Sequence, residues 1–251
     1  MGALRGVKGD NRISASDRAH HDVRDPHRRE SQLGDVILGG QDGVVNVLGV
    51  LLGVAAAGAE PRIVLAAGLA TTFAESVSMA AVAYTTTIAK ADAYRSERAR
   101  EYRHIEALPN LERAEIRDSY AKKGFRGELL ERVVETITAN KDVWVAVMMA
   151  EEHRLPPVSR GQALRSAFVV GLAATVGSLL PVAPFVVLRG AAASWASIAV
   201  AAIALFGVGA YKAKATVGRP LRSGLEMALI GVASALVGYG VGLLFNGPSP
   251  T

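Results

Sequence analysis

The segment GGQDGVVNVLGVLLG, residues 39–53, decides what kind of protein this chain is. It continues into VAAAGA and forms one glycine-studded apolar run. A helix rises about 1.5 Å per residue, so roughly 20 apolar residues cross a hydrocarbon layer of about 30 Å. The run is therefore long enough to span a bilayer, yet Asp42 places an ionisable carboxylate near its beginning.

Four further apolar stretches of similar length follow along the chain. Half of all residues are hydrophobic, and the mean hydropathy is +0.26. The last three stretches carry hardly any charge, which the core of a soluble domain would not explain. We therefore predict an all-α, polytopic membrane protein whose five transmembrane helices lie near residues 36–58, 63–88, 166–188, 191–211 and 223–245.

Basic residues predict the orientation of these spans. The polar N-terminal tail, the long segment after the second span and the loop YKAKATVGRPLRSG, residues 211–224, are all rich in Lys and Arg. Cytoplasmic loops carry this excess, so we expect all three in the cytoplasm and the C-terminus on the far side. The net charge of +5 then records topology and does not indicate nucleic-acid binding. No cleavable signal peptide is visible.

The composition divides the chain into four parts. We expect residues 1–34, with His20, His21 and His27, to be a solvated and disordered tail. Spans one and two occupy 35–89, and spans three to five occupy 161–247. Between them, 90–160 is dense in charge and is predicted to be a cytoplasmic helical metal-binding bundle. Breaks at Pro109–Asn110 and at Gly124 and Gly127 divide this bundle into three or more helices, the first continuing from span two.

Two carboxylates lie inside the first two spans. A charge at mid-bilayer costs about 2.5–3.5 kcal/mol on insertion scales. Asp42 shares a helical face with Asn46, and Glu75 lies four residues before Met79. Together, Asp42, Glu75 and Met79 could surround a divalent cation and exchange it for protons, which predicts a transport pathway. The alternative is that Asp42 caps or snorkels at the interface and that Met79 only packs.

A second set of candidate ligands lies in the charged segment. Glu101 and His104 are one helical turn apart, which is the spacing used in di-metal helical bundles. Oxygen and imidazole ligands suit iron(II) and manganese, and thioethers favour softer metals. The alternative is a solvated, ion-paired surface, because Lys and Arg are plentiful here. The predicted metal ligands are Glu101, His104, Glu112, Glu115, Met148, Met149 and Glu152.

Four stretches together resemble the vacuolar iron transporter family. They are DVILGGQDGVVNVLGVLLGVAAA, SVSMAAVAY, VWVAVMMAEEHRL and ALFGVGAYKAKATVGRPLRSGLEMALIGVASALVGYGVG, and the resemblance runs in order from about residue 33 to 245. It implies five membrane helices, a cytoplasmic metal-binding domain and a dimer. It also places the pore aspartate and methionine at Asp42 and Met79, and cytoplasmic ligands at Glu101, Glu112, Glu115, Met148, Met149 and Glu152.

Two positions depart from the family pattern. His104 stands where a glutamate is usual, and Val82 and Ala83 replace the Gly and Glu of the common SMAxGEY pattern. Glu75, one turn before Met79, could compensate for that missing glutamate.

The resulting functional prediction is a proton-coupled antiporter that exports a divalent metal from the cytoplasm. Iron(II) is the preferred cargo, with manganese, zinc and cobalt as alternatives, and no prosthetic cofactor is expected. Its partners would be these ions, protons, the lipid bilayer and a second copy of the chain, in a bacterial plasma membrane. Two alternatives remain open: a di-iron, ferroxidase-like enzyme and a membrane metal sensor without transport.

Overall fold

A computed structural model describes residues 33–216 and 218–246. This part of the chain is all-helical and contains eight helices. They are α1 (Leu33–Ala56), α2 (Pro61–Ala107), α3 (Pro109–Lys122), α4 (Gly127–Thr138), α5 (Lys141–Glu151), α6 (Arg160–Val187), α7 (Gly190–Ala215) and α8 (Pro220–Leu244). The predicted tail with His20, His21 and His27 lies outside the described residues, except that Leu33 and Gly34 already belong to α1.

Five of these helices are long and apolar enough to cross a membrane: α1, α2, α6, α7 and α8. Their number and order confirm the prediction from hydropathy. The second, α2, has 47 residues and is therefore about 70 Å long, more than twice the thickness of a hydrocarbon core. Its C-terminal half consequently projects out of the membrane region as part of the same helix, as the charge pattern predicted.

Glycines allow the membrane helices to approach one another closely. Helix α1 packs most extensively against α6 and α8. A Cβ added at Gly238 would lie 2.3 Å from the carbonyl oxygen of Gly49, and one at Gly242 would lie 2.0 Å from that of Gly53. The small-residue spacing seen in the sequence therefore serves contact between α1 and α8 within one chain. Such backbone contact is a common means of helix association in lipid.

The two prolines of the third span do not end its helix. Proline ordinarily kinks or ends a helix, but α6 includes both Pro181 and Pro184 and ends only at Val187. The neighbouring helix contributes a stabilising contact here, because the buried Ser197 hydroxyl of α7 donates a hydrogen bond to the Pro181 carbonyl at 2.7 Å. Adjacent helices and hydroxyl side chains commonly make proline tolerable inside a membrane helix.

Outside the membrane region, the end of α2 and helices α3, α4 and α5 share a hydrophobic core. Pro109 begins α3 directly after α2 ends, and Gly124 adopts a positive φ of 101° in the turn that follows α3. Asn140 caps α5 by accepting backbone hydrogen bonds from Asp142 and Val143. The buried core residues are Ile105, Ile116, Leu130, Val134, Ile137, Trp144, Val145, Met148 and Met149.

Candidate metal-binding sites

The first candidate site lies between α1 and α2 inside the membrane-spanning part. The Asn46 side-chain amide donates a hydrogen bond to the Glu75 carboxylate, with 3.1 Å between Nδ2 and Oε1. The Asp42 carboxyl group, one helical turn before Asn46, lies close enough to Glu75 for the two groups to interact. The structure therefore brings Asp42 and Glu75 together at one place between two adjacent spans.

Positive charge does not neutralise this pair. Among the residues that the structure describes, neither Asp42 nor Glu75 forms an ion pair with Lys or Arg. Two neighbouring carboxylates in such surroundings are costly unless a cation or protons accompany them. The arrangement is chemically suited to holding either.

Met79, the third predicted pathway residue, lies in different surroundings. Its side chain is buried together with Ala83 against Val170 and Ala174 of α6. Ala83 thus occupies a packed position, while Val82 beside it is exposed. The structure gives Met79 a packing role, and contact between its thioether and a metal ion stays a prediction.

A shallow apolar groove adjoins Asn46 on the surface of the spans. It has a volume of about 530 Å³ and lies between α1 and α8. Asn46, Gly49 and Gly53 form one wall, and Ser234 and Gly238 belong to the other. The amide that holds Glu75 is therefore reachable from the side of the bundle.

The second candidate site lies in the extramembrane helices, where two buried glutamates each meet a histidine. Glu101 and Glu112 are each only 3% exposed. The His153 Nε2 atom lies 3.0 Å from Glu101 Oε1, and the His104 Nδ1 atom lies 3.4 Å from Glu112 Oε1. The other carboxylate oxygen of each glutamate is buried without a hydrogen-bond partner in the described part of the chain. Buried carboxylate oxygens without donors are unusual and call for a cation or a proton.

The carboxylates of this cluster influence one another. Burial, and after it the charges of Glu101, Glu115 and Glu152, together raise the pKa of Glu112 to about 7. Although Glu152 remains exposed, partial desolvation and then the Glu115 carboxylate raise its pKa as well. The cluster therefore concentrates carboxylates, none of which forms an ion pair with Lys or Arg among the described residues. It is suited to attract a divalent cation.

The predicted ligands are only partly assembled. Within the residues described, no three carboxylate or imidazole groups converge on a single metal-binding point. The thioethers of Met148 and Met149 belong to the hydrophobic core, at 3% and 2% exposure. An incoming ion would have to draw the Glu101–His153 and Glu112–His104 pairs together.

The outer faces of the same helices match the alternative of an ion-paired surface. Here four glutamates meet a cation: Glu97 with Arg100, Glu106 with Lys141, Glu131 with Arg117 and Glu151 with Lys123. The Lys141 ammonium lowers the pKa of Glu106 below its usual value. The buried glutamates of this region therefore meet imidazoles, whereas these four surface glutamates meet Lys or Arg.

His153 is a member of the cluster that sequence reasoning missed. It follows Glu152 directly in the stretch AEEHRL, and that adjacency was the available signal. What brings it to Glu101 is a sharp turn after α5, where Arg154 adopts a positive φ of 53°. Such a turn cannot be read from residue spacing.

These features define a polytopic α-helical membrane protein with one group of acids between its spans and a second in attached helices. Comparison with known proteins identifies it further. The model of the VIT family matches residues 33–243. Vacuolar iron transporter 1 of Oryza sativa subsp. japonica is 31% identical over 229 residues, covering 90% of this chain and 91% of the relative. The protein of the same name from Arabidopsis thaliana is 34% identical over 203 residues, covering 80% and 81%.

The chain therefore belongs to the VIT family, and it is an integral membrane transporter rather than an enzyme. The ferroxidase alternative is set aside on this ground. A more distant relative is the vacuolar iron transporter of Plasmodium falciparum, 28% identical over 227 residues, covering 86% of this chain and 83% of the relative. The named relatives are plant and protist proteins, so they give no support to the prediction of a bacterial chain in a plasma membrane.

Proposed function

We propose that this chain is a proton-coupled antiporter that moves a divalent transition metal, iron(II) first among them, out of the cytoplasm. The observation that carries the proposal is the Asp42–Glu75 pair, held by Asn46 between two spans and lacking a basic neighbour in the described residues. A metal cation and protons can occupy such a pair alternately, because either of them neutralises the carboxylates after the other has dissociated. The names of the relatives support iron as the cargo.

The extramembrane cluster acts as the capture site in this proposal. Glu101 and Glu112 offer buried oxygens, while Glu115 and Glu152 add charge around them. Because these helices continue from α2, which also carries Glu75, an ion captured there is close to the entrance of the spans. The predicted ligands Met148 and Met149 would reach the ion only if the core around them rearranges.

Orientation and assembly follow from separate features. The Lys- and Arg-rich segments favour a cytoplasmic location for the extramembrane helices, so that metal enters from the cytoplasm and protons arrive from the far side. The groove between α1 and α8 suits a second copy of the chain, because it is apolar and open on the surface of the spans. In a dimer built there, Asn46 and the carboxylates behind it would lie next to the interface.

Transport into proteoliposomes tests the proposal. The purified chain should carry iron(II) across the membrane only when a pH gradient is imposed, with protons moving in the opposite direction. Asp42→Ala should reduce this flux by a factor of ten or more, because one of the two exchanging carboxylates is gone. Asp35→Ala, in the first turn of the same helix, is the matched control and should retain most of the flux. Full metal-dependent flux in Asp42→Ala would refute the proposed pathway.

A further inference from the structure

The histidine that sequence reasoning missed provides a clue to which metal the cluster prefers. His153 lies two residues beyond the end of α5, yet its ring contacts Glu101, 52 residues earlier on α2. Its backbone N–H bonds back to the Met148 carbonyl, and the left-handed Arg154 follows it. A residue held in a sparsely populated backbone region needs support from its surroundings, and such positions are concentrated at functional sites.

His104 makes the matching contact on the other side of the cluster. It lies near the end of α2, and its ring is 3.4 Å from the first-turn Glu112 of α3. The two buried glutamates thus each have an imidazole on one oxygen and no described partner on the other. Each His–Glu pair leaves the second ring nitrogen of its histidine without a partner in the part of the chain described. Histidines that bind metals commonly use one ring nitrogen for the ion and the other for a carboxylate.

Nitrogen ligands change what an acidic site prefers. Carboxylate and water oxygens suit magnesium, calcium and manganese, whereas imidazole suits zinc, iron, nickel and copper. Cobalt(II) precedes nickel in the general affinity series and shares this preference over manganese. A cluster of glutamates alone would therefore discriminate weakly against manganese, and each added imidazole increases that discrimination.

Building on the proposed function, we propose that His153, together with His104, makes the extramembrane cluster selective for late first-row divalent ions over manganese and magnesium. His153 contributes a nitrogen ligand through the ring atom not used for Glu101, and His104 does the same beside Glu112. The unpartnered oxygens of the two glutamates complete the set. Selectivity thus arises at capture, before an ion reaches the carboxylates of the spans.

Binding of cobalt(II) and manganese(II) to the full-length protein in detergent tests this. The chain contains five histidines, so a background variant with His20, His21 and His27 replaced by Gln keeps only His104 and His153. In that background, His153→Gln preserves a side chain able to bond Glu101 but removes the imidazole. We expect its cobalt affinity to fall on the order of tenfold, as for loss of a metal-site partner, while manganese affinity changes less than threefold. His104→Gln should act in the same direction.

Two outcomes would overturn the inference. The first is an unchanged cobalt-to-manganese affinity ratio in His153→Gln, whether or not both affinities fall. It would mean that His153 has a structural role only. A second measurement uses only the background protein, which keeps His104 and His153, and so does not depend on the folding of the variants. It is pulsed electron paramagnetic resonance of bound copper(II), with histidine labelled with 15N. It should show coupling to histidine nitrogen, and its absence would also overturn the inference. Should the background protein bind neither cobalt nor manganese, the capture step of the proposed function is wrong as well.

Discussion

The membrane-spanning helices and the extramembrane helices of this chain both bury large apolar side chains, but they differ in their closest helix contacts. In the spans, α1 meets its neighbours through glycines, with backbone against backbone at Gly49 and Gly238. In the extramembrane helices, large residues such as Ile116 and Trp144 fill a shared core. The surrounding solvent explains the difference. Lipid offers no hydrophobic reward for burying leucine, so close backbone packing is favoured, whereas water rewards the burial of large apolar groups.

The same difference explains where each region keeps its acids. Asp42 and Glu75 lie between two spans, and Glu75 accepts a hydrogen bond from the Asn46 amide. Glu101 and Glu112 are buried beside an apolar core and meet imidazoles. Within the described residues, neither group has the Lys or Arg partners that Glu97, Glu106, Glu131 and Glu151 have. We therefore expect the extramembrane core to be sensitive to large-to-small substitutions, and the glycine contacts of the spans to small-to-large ones.

The largest effect is expected in the extramembrane core. Ile116 is 1% exposed, so Ile116→Ala should lower the free energy of unfolding of helices α3 to α5 by about 2–5 kcal/mol, through lost burial and the cavity left behind. Hydrogen exchange of the full-length protein measures this helix by helix. Protection should fall in α3 to α5 and persist in α6 to α8.

Leu111→Ala is the matched control for this prediction. Leu111 lies on the same helix but is 52% exposed, and its replacement should change stability by no more than about 0.5 kcal/mol. Equal loss of protection in both variants, or equal loss in the spans, would mean that the two regions do not unfold separately.

A pH effect of similar size is expected at Glu112. Its pKa is raised from 4.5 to about 7, so between these values the folded state holds a proton that the unfolded state has released. Stability of the extramembrane helices should therefore be greatest below about pH 4.5 and fall as pH rises to about 7. The total loss is roughly 3 kcal/mol at most, with the full penalty present at higher pH.

Glu112→Gln isolates this contribution. The variant should lose most of the pH dependence and be more stable than the unmodified chain at pH 8. Both proteins are unfolded with urea in the presence of a chelator, in a Trp195→Phe background that leaves Trp144 as the fluorescent reporter. Glu131→Gln, on the outer surface, should keep the original pH profile. If the stability of the unmodified chain does not change with pH, burial does not raise the pKa of Glu112.

The spans were predictable from sequence because lipid imposes a length and an apolar composition on each of them. The uninterrupted α2 was predictable too, since no helix breaker occurs before Pro109. Contacts that depend on side-chain direction were not. Leu129 and Leu130 are adjacent in sequence and identical in type, yet Leu129 is 51% exposed and Leu130 is buried. A shift of one residue rotates a helix face by about 100°, which exceeds what a short pattern can fix.

The ligand predictions show the same limit. Sequence spacing placed Glu101 and His104 on one turn of helix, but the structure pairs each with a residue from another element. Met148 and Met149 have side chains that suit either a soft metal or an apolar core, and only tertiary packing distinguishes these roles. Their burial in the core therefore could not be predicted from residue type.

The smallest effect is expected in the spans, at the contact between α1 and α8. A Cβ at Gly242 would lie 2.0 Å from the Gly53 carbonyl oxygen, and backbone atoms cannot yield as a flexible side chain does. Gly242→Ala should therefore separate α1 from α8 at a cost of about 1–3 kcal/mol. Thermal unfolding of the protein in detergent, followed by loss of the monodisperse species, measures the change.

Gly240→Ala is the control, because nothing lies within 4 Å of a Cβ added there. Alanine favours helix over glycine by as much as about 1 kcal/mol, so this variant should be neutral or slightly more stable. Equal stability of the Gly242→Ala and Gly240→Ala variants would contradict the close contact between α1 and α8. Destabilisation at Gly240 would instead report a neighbour that the single chain does not contain. Gly240 is not among the residues that line the apolar groove, so that neighbour would be a second copy packed on another face of α8.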